Sequence, residues 1–485
     1  MIIHDTFFIA GRFAKAHGTR HLEVISPFTE ETIGRLPAAE EADIDDAVAA
    51  ARAAFDDGPW PRMGLDERIG VVEGMVPLLR ARLDELVDLQ VAEMGSPVRF
   101  MGPLTAAVVN DFIDVFVRSA RSISLQEVRG GPDNPSLVVR EPVGVVGAVT
   151  PWNGPTLLLL FKLLPAVLTG CTVVIKPAPE SPLDAYVIAE ELSKLGFPEG
   201  VVSIVPGGRD VGEHLVSHPG LDKVAFTGST AAGRRIGSIC GQNIRRLTLE
   251  LGGKSAAIVL EDADFDRAMP ILRNGAMANN GQICSAITRF LVPQSRYEEF
   301  ADAFSGWVAD MVVGDPSDEG TEVGPLVAER QRDRVEGYIE SGSSEGAKLL
   351  VGGGRPKSLP RGWFVEPTVF GNVSNSMRIA REEIFGPVVS LIPYADEQEA
   401  VRIANDSPYG LSGAVFTRDY ERGLKVARQI RTGTYDIDDF SLDLTLPFGG
   451  YKCSGIGREC GPEGMEGYLE YKSIGLPQGF VPAAV

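Results

Sequence analysis

Residues 143–250 alternate between two hydrophobic patterns. "VGVVGAVT", "TVVIKP", "VVSIVPGG" and "KVAFTG" are short, almost continuously apolar and β-branched. Between them, "LLLLFKLLPAVLTG", "SPLDAYVIAEELSKLG", "RDVGEHLVSH" and "STAAGRRIGSICG" read as helices. Strands without polar alternation, separated by helices, predict a parallel sheet covered on both faces. Ser181 stands where it would cap the second of these helices. After Glu250 the alternation restarts with "SAAIVL", "ADFDRAMPILRNGAMA", "RFLVP" and the helical stretch near "RYEEFADAFSGWVADM", so a second α/β unit is expected. Upstream, "ADIDDAVAAARAAFDD" and the stretch from Leu65 to Glu93 have the periodicity of amphipathic helices. "NPSLVVREP" and the C-terminal "GYLEYKSIGL" read as strands outside both units, and are expected to extend a sheet toward another subunit.

A chain of 485 residues exceeds one ordinary core, which agrees with two units and a small extension. Its 44% apolar and 23% charged residues are those of a soluble globular protein. The formal charge of −20 argues against binding nucleic acid or an anionic membrane surface. No unbroken apolar run approaches the roughly 20 residues of a membrane helix, and "MIIHDTFFIAGRF" makes a poor signal peptide. Five widely spaced cysteines do not form a disulfide framework, and no C-x-x-C or H-E-x-x-H metal motif occurs. A reducing, cytoplasmic setting and no metal are the expectations.

One cysteine is placed unlike a structural one. Cys284, in "ANNGQICSAITRF", lies in a polar, glycine-bearing turn, read as an open loop, between a helical segment and a β-branched run. An ordinary thiol, with a pKa of about 8.5, is only slightly ionised at neutral pH, so a catalytic cysteine needs a base. All five histidines, the last at His218, lie well upstream, which weakens a Cys–His hydrolase. Glu250 is the alternative: it ends an apolar strand just before the Gly252–Gly253 pair, where another backbone or a ligand can approach closely. "FTGSTAAG" places Gly228, Ser229 and Gly233 at a strand-to-helix junction able to aim backbone N–H groups at an anion, a weak signal by itself. "LTLELGGKSA" mimics a P-loop but carries Thr248 where that motif requires glycine, so a nucleotide triphosphatase is rejected.

Eight motifs stand in an order that resembles the NAD(P)-dependent aldehyde dehydrogenase superfamily. They are "PWNGP", "VIKPAPESPL", "FTGST", "LELGGKS", "NNGQICS", "EEIFGPV", "NDSPYGLSG" and "PFGGYKCSGIGRECGPEGMEGYLEYKSI". The separations of 23 residues from Asn153 to Lys176 and 34 from Glu250 to Cys284 also match the family. The resemblance implies a Rossmann-like cofactor domain over 1–120 and 142–251, a catalytic domain over 252–452, and oligomerisation segments at 121–141 and 465–485. It implies Cys284 as nucleophile, Asn153 with the Cys284 backbone N–H as oxyanion donors, and Glu250 as the base that hydrolyses a thioester. A glutamate at this position separates hydrolytic members from CoA-acylating ones.

On the cofactor side the resemblance implies Lys176 at the adenosine ribose, Gly228 and Ser229 at the pyrophosphate, and Glu383 with Phe385 at the nicotinamide ribose and ring. Thr150, Pro151, Trp152, Gly233, Leu251 and Gly252 complete the expected cleft. NAD-preferring members often carry a glutamate three residues after the lysine, where this chain has Pro179, with Glu180 one place later and Arg209 on a loop near the adenine end. NAD is the first expectation and NADP stays open. The substrate pocket implied by the family falls on Asn153, Gly154, Leu158, Phe161, Ile283, Ser285, Leu442 and Phe448. It holds no evident cation, which points to a hydrophobic aldehyde of medium or larger size. A homodimer or homotetramer is expected. The alternatives are a cysteine-dependent hydrolase or acyltransferase, a CoA-acylating relative, and a non-catalytic binding protein; retention of Cys284 and Glu250 speaks against the last. The acidic run "YDIDDFSLD" has no place in any of these readings.

Overall fold

The computed structural model describes residues 1–131 and 133–480. Its largest sheet has eight strands. Five run parallel in the spatial order Arg246–Glu250, Lys223–Thr227, Val145–Val149, Thr172–Lys176, Val202–Ile204. Thr6–Ile9 and Arg12–Lys15 extend it antiparallel on one side, and Gly455–Ile456 on the other. Alternate residues of one strand feed different cores: Val173 and Ile175 pack with the helix Pro155–Thr169, whereas Val174 packs with Ile44, Val48 and Leu215. A strand buried on both faces has no polar side to show, which is why these segments read as unbroken apolar runs.

The chain first builds outward from Val145–Val149 to Val202–Ile204, then crosses back to Lys223–Thr227 on the other flank. The switch therefore falls between Val145–Val149 and Lys223–Thr227, the place where open α/β sheets bind ligands at their strands' carboxyl ends. Register sets Val149 opposite Lys176, and Thr227 opposite Glu250, so these strand ends form one edge.

A second sheet of seven strands is parallel through Thr368–Gly371, Val388–Tyr394, Ile287–Pro293, Ser255–Val259, Gly413–Phe416 and Asp436–Ile437, with Lys348–Val351 antiparallel at its rim. Ser255 opposes Ile287 at its entry edge. Only four residues join Glu250 to Ser255, so the exit edge of the first sheet abuts the entry edge of the second. The α/β class with parallel sheets is thus as the hydrophobic pattern predicted.

One local expectation changes. Ser181 does not cap its helix, which starts at Leu183; it is buried, and its hydroxyl donates to the Trp152 carbonyl at 3.2 Å. The outlying strands Ser136–Pro142 and Leu469–Gly475 pair with each other along all seven residues, and Gln126–Arg129 completes a separate three-stranded sheet. Pro132 and residues 481–485, parts of the two proposed oligomerisation segments, lie outside the described residues. One helical run, Val98–Ser122, reaches membrane-spanning length and apolarity despite its interspersed charges. It packs Phe112 and Phe116 against Phe161, as a core helix does.

One buried ion pair ties the layers together. The Lys162 ammonium, midway along Pro155–Thr169, donates to Thr227 Oγ1 at 2.7 Å and to Glu459 Oε1 at 2.6 Å. Both side chains are at most 3% exposed. Removing one partner of such a pair strands the other charge in a dry interior. Lys162→Met should therefore cost about 3–5 kcal/mol, read from the midpoint of denaturant unfolding. Replacing Glu459 by Met as well should recover most of that loss, because no unpaired charge then remains.

Candidate active site

Four strand ends of the first sheet deliver four groups to one edge. After Val149 the chain turns through Thr150–Asn153 into the helix at Pro155, and the Thr150 N–H donates to the Lys176 carbonyl at 3.1 Å. Lys176 itself is buried and donates to the carbonyls of Pro177 and Gly207 at 2.9 and 2.8 Å. Burial lowers its pKa to about 8, with Glu180 and Asp210 acting in the opposite sense. Gly228 follows the strand Lys223–Thr227 and donates to the Glu250 carbonyl at 3.0 Å. Ser229 caps the helix Thr230–Gln242, its Oγ accepting from the Ala232 N–H at 3.3 Å. Gly233 lies in that helix, and a Cβ there would meet Leu251 at 2.5 Å. The glycine spacing that weakly suggested an anion site therefore also serves helix-to-strand packing.

Glu250 is 2% exposed, and neither carboxylate oxygen has a hydrogen-bond partner among the described residues. Burial, followed by repulsion from Glu459, holds its pKa well above the ordinary carboxylate range; Lys162 pulls the other way. Beyond it, the diglycine makes room for two other segments. A Cβ on Gly252 would sit 2.3 Å from Glu383 Oε2, and one on Gly253 would sit 2.3 Å from the Cys284 carbonyl oxygen. The Gly253 N–H donates to Glu383 Oε1 at 3.1 Å.

The turn carrying Cys284 is not the open loop its polarity suggested. Asn279, Asn280 and Gln282 are at most 1% exposed. Asn279, Asn280 and Gly281 all adopt left-handed backbone, φ 52°, 60° and 71°, which asparagine and glycine tolerate best. The Asn280 amide donates to the carbonyls of Gly95 and Pro325 at 2.9 and 2.8 Å and accepts from the Gly324 N–H at 2.6 Å. Asn279 donates to the Asn153 carbonyl at 2.8 Å, and Asn153 Nδ2 donates to the Gln282 carbonyl at 3.0 Å. Polar side chains here replace the backbone partners that a buried loop lacks. Cys284 keeps a partly exposed surface, yet dense packing raises its pKa well above that of a free thiol, with Glu250 and Glu383 adding to the effect.

The cofactor cleft lies across the same junction. Trp152 meets Phe385 edge to face, with ring centroids 5.3 Å apart, and Phe385 is held at φ 61°. Sequence reasoning missed what holds Glu383 and Phe385 there. Gln331 Nε2 donates to the Phe385 carbonyl at 2.7 Å, and Arg334 donates to the Glu383 carbonyl at 2.6 Å, both from the helix Glu329–Ser344. No local pattern marks them, because they act through a distant segment's backbone. Burial raises Glu383 to about 7. Glu180 is engaged by Arg330 of that same helix. Arg209, expected on a loop, is the first residue of the helix Arg209–Ser217 and is exposed; the N-terminal turns of this helix pack on Lys176, 3.2 Å from where a Cβ on Gly212 would stand. A glycine edge, a capped helix N-terminus and a lysine among carbonyls suit the phosphates and ribose hydroxyls of a dinucleotide.

A cavity of about 500 Å³ opens beside Cys284. Its walls include Asn153, Gly154, Leu158, Phe161, Ile283, Ser285, Leu442 and Phe448, as well as Phe100, Leu104, Phe440 and Leu446. The first eight were expected from the sequence; the others come from a helix and a loop that only the tertiary fold brings near. The lining holds no lysine, arginine or histidine.

The family model described as the aldehyde dehydrogenase family matches residues 13–474. Geranial dehydrogenase of Castellaniella defragrans is 46% identical, over 98% of this chain and 99% of that protein. The 3-succinoylsemialdehyde-pyridine dehydrogenase of a Pseudomonas species is 43% identical, over 96% and 98%. Among solved structures, an NAD+ complex of a Mycobacterium tuberculosis aldehyde dehydrogenase superimposes with a TM-score of 0.97 at 48% identity, covering 99% of this chain and 100% of that one. A cysteine-to-alanine variant of a Pseudomonas syringae aldehyde dehydrogenase, complexed with NAD+ and octanal, gives 0.94 at 40% identity, over 99% and 98%. With the family model spanning almost the whole sequence and relatives alike end to end, the chain belongs to the aldehyde dehydrogenase family.

Proposed function

We propose that this protein oxidises a hydrophobic aldehyde to the free carboxylic acid with NAD, through a thioester on Cys284 that Glu250 hydrolyses. The observation that carries this reading is the pairing of a partly exposed cysteine in a mainly apolar cavity with a buried carboxylate that has no protein partner. Burial and mutual repulsion disfavour two anions together, so the Cys284–Glu250 pair retains a proton near neutrality. With its thiol proton released to solvent, the Cys284 thiolate forms a C–S bond to the aldehyde carbon while the carbonyl π pair moves to oxygen. Asn153 has a second N–H beyond the one given to Gln282, and the Cys284 backbone N–H has no backbone acceptor among the described residues. Both are therefore available to that oxyanion, a contribution typically of about 10²–10³ in rate per donor. NAD, when bound, accepts the hydride that leaves this carbon. Glu250 then deprotonates a water, its oxygen adds to the thioester carbonyl, and Cys284 departs as the thiolate. Lys176, Gly228, Ser229, Glu383, Phe385 and Trp152 would hold the cofactor, and the NAD+ complexes of relatives support that choice.

If Glu250 mainly serves the water step, Glu250→Gln should release close to one NADH per active site in a burst and then turn over far more slowly. Rapid-mixing absorbance with mass spectrometry of the acylated protein reads both. Loss of burst and adduct together would instead make Glu250 chiefly the base for Cys284, and an unchanged steady state would remove it from the mechanism. The raised pKa has a sign: protonated Glu250 cannot act as base, so deacylation should rise with pH through a value above the ordinary carboxylate range, and Glu250→Gln should lack that limb.

Without a carboxylate at Pro179, and with Glu180 engaged by Arg330, repulsion of a 2′-phosphate is weak. NAD should be preferred and NADP measurably used, and Pro179→Glu should widen the preference, as read from kcat/KM with each cofactor.

We further propose a homodimer or homotetramer. The three-stranded sheet leaves the outer edges of Gln126–Arg129 and Leu469–Gly475 unpaired among the described residues, with Val128, Tyr471 and Ile474 exposed. Light scattering at micromolar concentration should give two or four chain masses; a monomeric mass would overturn this assignment.

A further inference from the structure

The acidic run 435–443 has a structural outcome that differs residue by residue. Asp438 is buried and paired with Arg267 at 2.7 Å. Asp439 accepts from the Phe440 N–H at 2.8 Å, and Asp443 accepts from the Thr445 N–H and hydroxyl at 2.9 and 2.7 Å. Asp436 has no cation and no side-chain donor among the described residues, only the backbone amide of Ser441, and unlike the exposed Asp439 it lines the cavity that holds Cys284. Leu442 and Leu446, 48% and 56% exposed, mark where that cavity meets solvent. Asp436 is only half-buried, on the strand paired with Gly413–Phe416. Burial raises its pKa to about 6, with the Ser441 amide acting against the rise, so it is ionised in alkaline solution. Arg99 and Arg273 border an adjoining cavity and turn to Glu322 at 3.7 and 3.1 Å.

An apolar aldehyde that fills this cavity displaces water from the Asp436 carboxylate and gives nothing in return. A half-buried carboxylate left with only the Ser441 amide carries part of its desolvation cost uncompensated. A substrate carboxylate would add repulsion between like charges in a poorly solvated space. From this juxtaposition we infer that Asp436 is a specificity-determining residue, selecting hydrophobic aldehydes whose chain carries a hydrogen-bond donor, foremost a hydroxyl, and rejecting those that end in a carboxylate. A cationic chain end shares the electropositive character but carries a heavier desolvation cost against the apolar walls. This inference rests on the proposed aldehyde oxidation and names its substrate class.

The test is steady-state kinetics with NAD in alkaline buffer on octanal, its terminally hydroxylated counterpart, the corresponding ω-oxo acid and an ω-trimethylammonio aldehyde of matched length. The wild type should favour the hydroxy-aldehyde over octanal by about tenfold in kcat/KM, and octanal over the oxo acid by at least as much. The trimethylammonio aldehyde should fall between the hydroxy-aldehyde and the oxo acid; its exceeding the hydroxy-aldehyde would overturn the preference for a hydroxyl. Asp436→Leu should erase the hydroxyl advantage. Asp436→Asn, which keeps the shape and an acceptor, should raise use of the oxo acid while retaining part of that advantage. The idea is overturned if the wild type treats octanal and the oxo acid alike, or if neither substitution changes the ratios. Absence of NADH from every aldehyde would instead defeat the proposed oxidation itself. Circular dichroism melting shows which variants are folded, and either variant alone suffices to move the ratios.

Discussion

Everything in the site depends on how closely two sheets can approach. The exit edge of one sheet and the entry edge of the next are joined by Leu251–Lys254, and the space between them is less than a methyl group wide at two points. With a Cβ 2.3 Å from a backbone carbonyl, an alanine at 253 would have to displace the segment that carries Cys284. Both glycines are required by proximity rather than by a left-handed backbone, since neither has a positive φ. The result is that a strand-end carboxylate, a cysteine turn and the Glu383 segment meet in one small volume without any of them being near in sequence.

That closeness dries the site, and dryness governs its charges. Glu250, Cys284 and Glu383 are all pushed toward their neutral forms, while Lys176 and Lys254 are pushed toward theirs, in each case chiefly by burial. A carboxylate raised in this way is a stronger base than an ordinary one, which suits a water that must be deprotonated. Lys162 limits the effect. Its pairing with Glu459 places a compensated charge behind Glu250, so the carboxylate is raised by burial and opposed by a nearby cation. The same ion pair fixes the C-terminal segment against the helix that follows Asn153.

The cavity shows a different use of buried polarity. Its surface is mainly aliphatic and aromatic, with asparagine, serine and threonine side chains and the carboxylates of Asp436 and Asp443 set among those walls. Of the four acids in the run 435–443, Asp438 pairs with Arg267, Asp439 and Asp443 accept from residues that follow them, and Asp436 lines the cavity with only a backbone partner.

The sequence alone determined the α/β class, because strands covered on both faces must be apolar throughout and helices between them must not be. It also marked Cys284 and Glu250, which interrupt or end such a pattern with a reactive side chain, and the order of eight motifs tied them and Asn153 to a family. Local signals misled where a polar residue has two physical uses. Ser181 was placed as a helix cap and instead serves the Trp152 carbonyl; the asparagines before Cys284 suggested an exposed loop and instead satisfy buried carbonyls. Only the tertiary structure decided those outcomes, because a hydrogen-bond donor does not record in sequence which distant acceptor it will meet. For the same reason Gln331, Arg334 and Lys162, and the cavity walls at Phe100 and Leu104, could not be read from the chain: their roles exist only once separate segments are packed within hydrogen-bond or van der Waals reach.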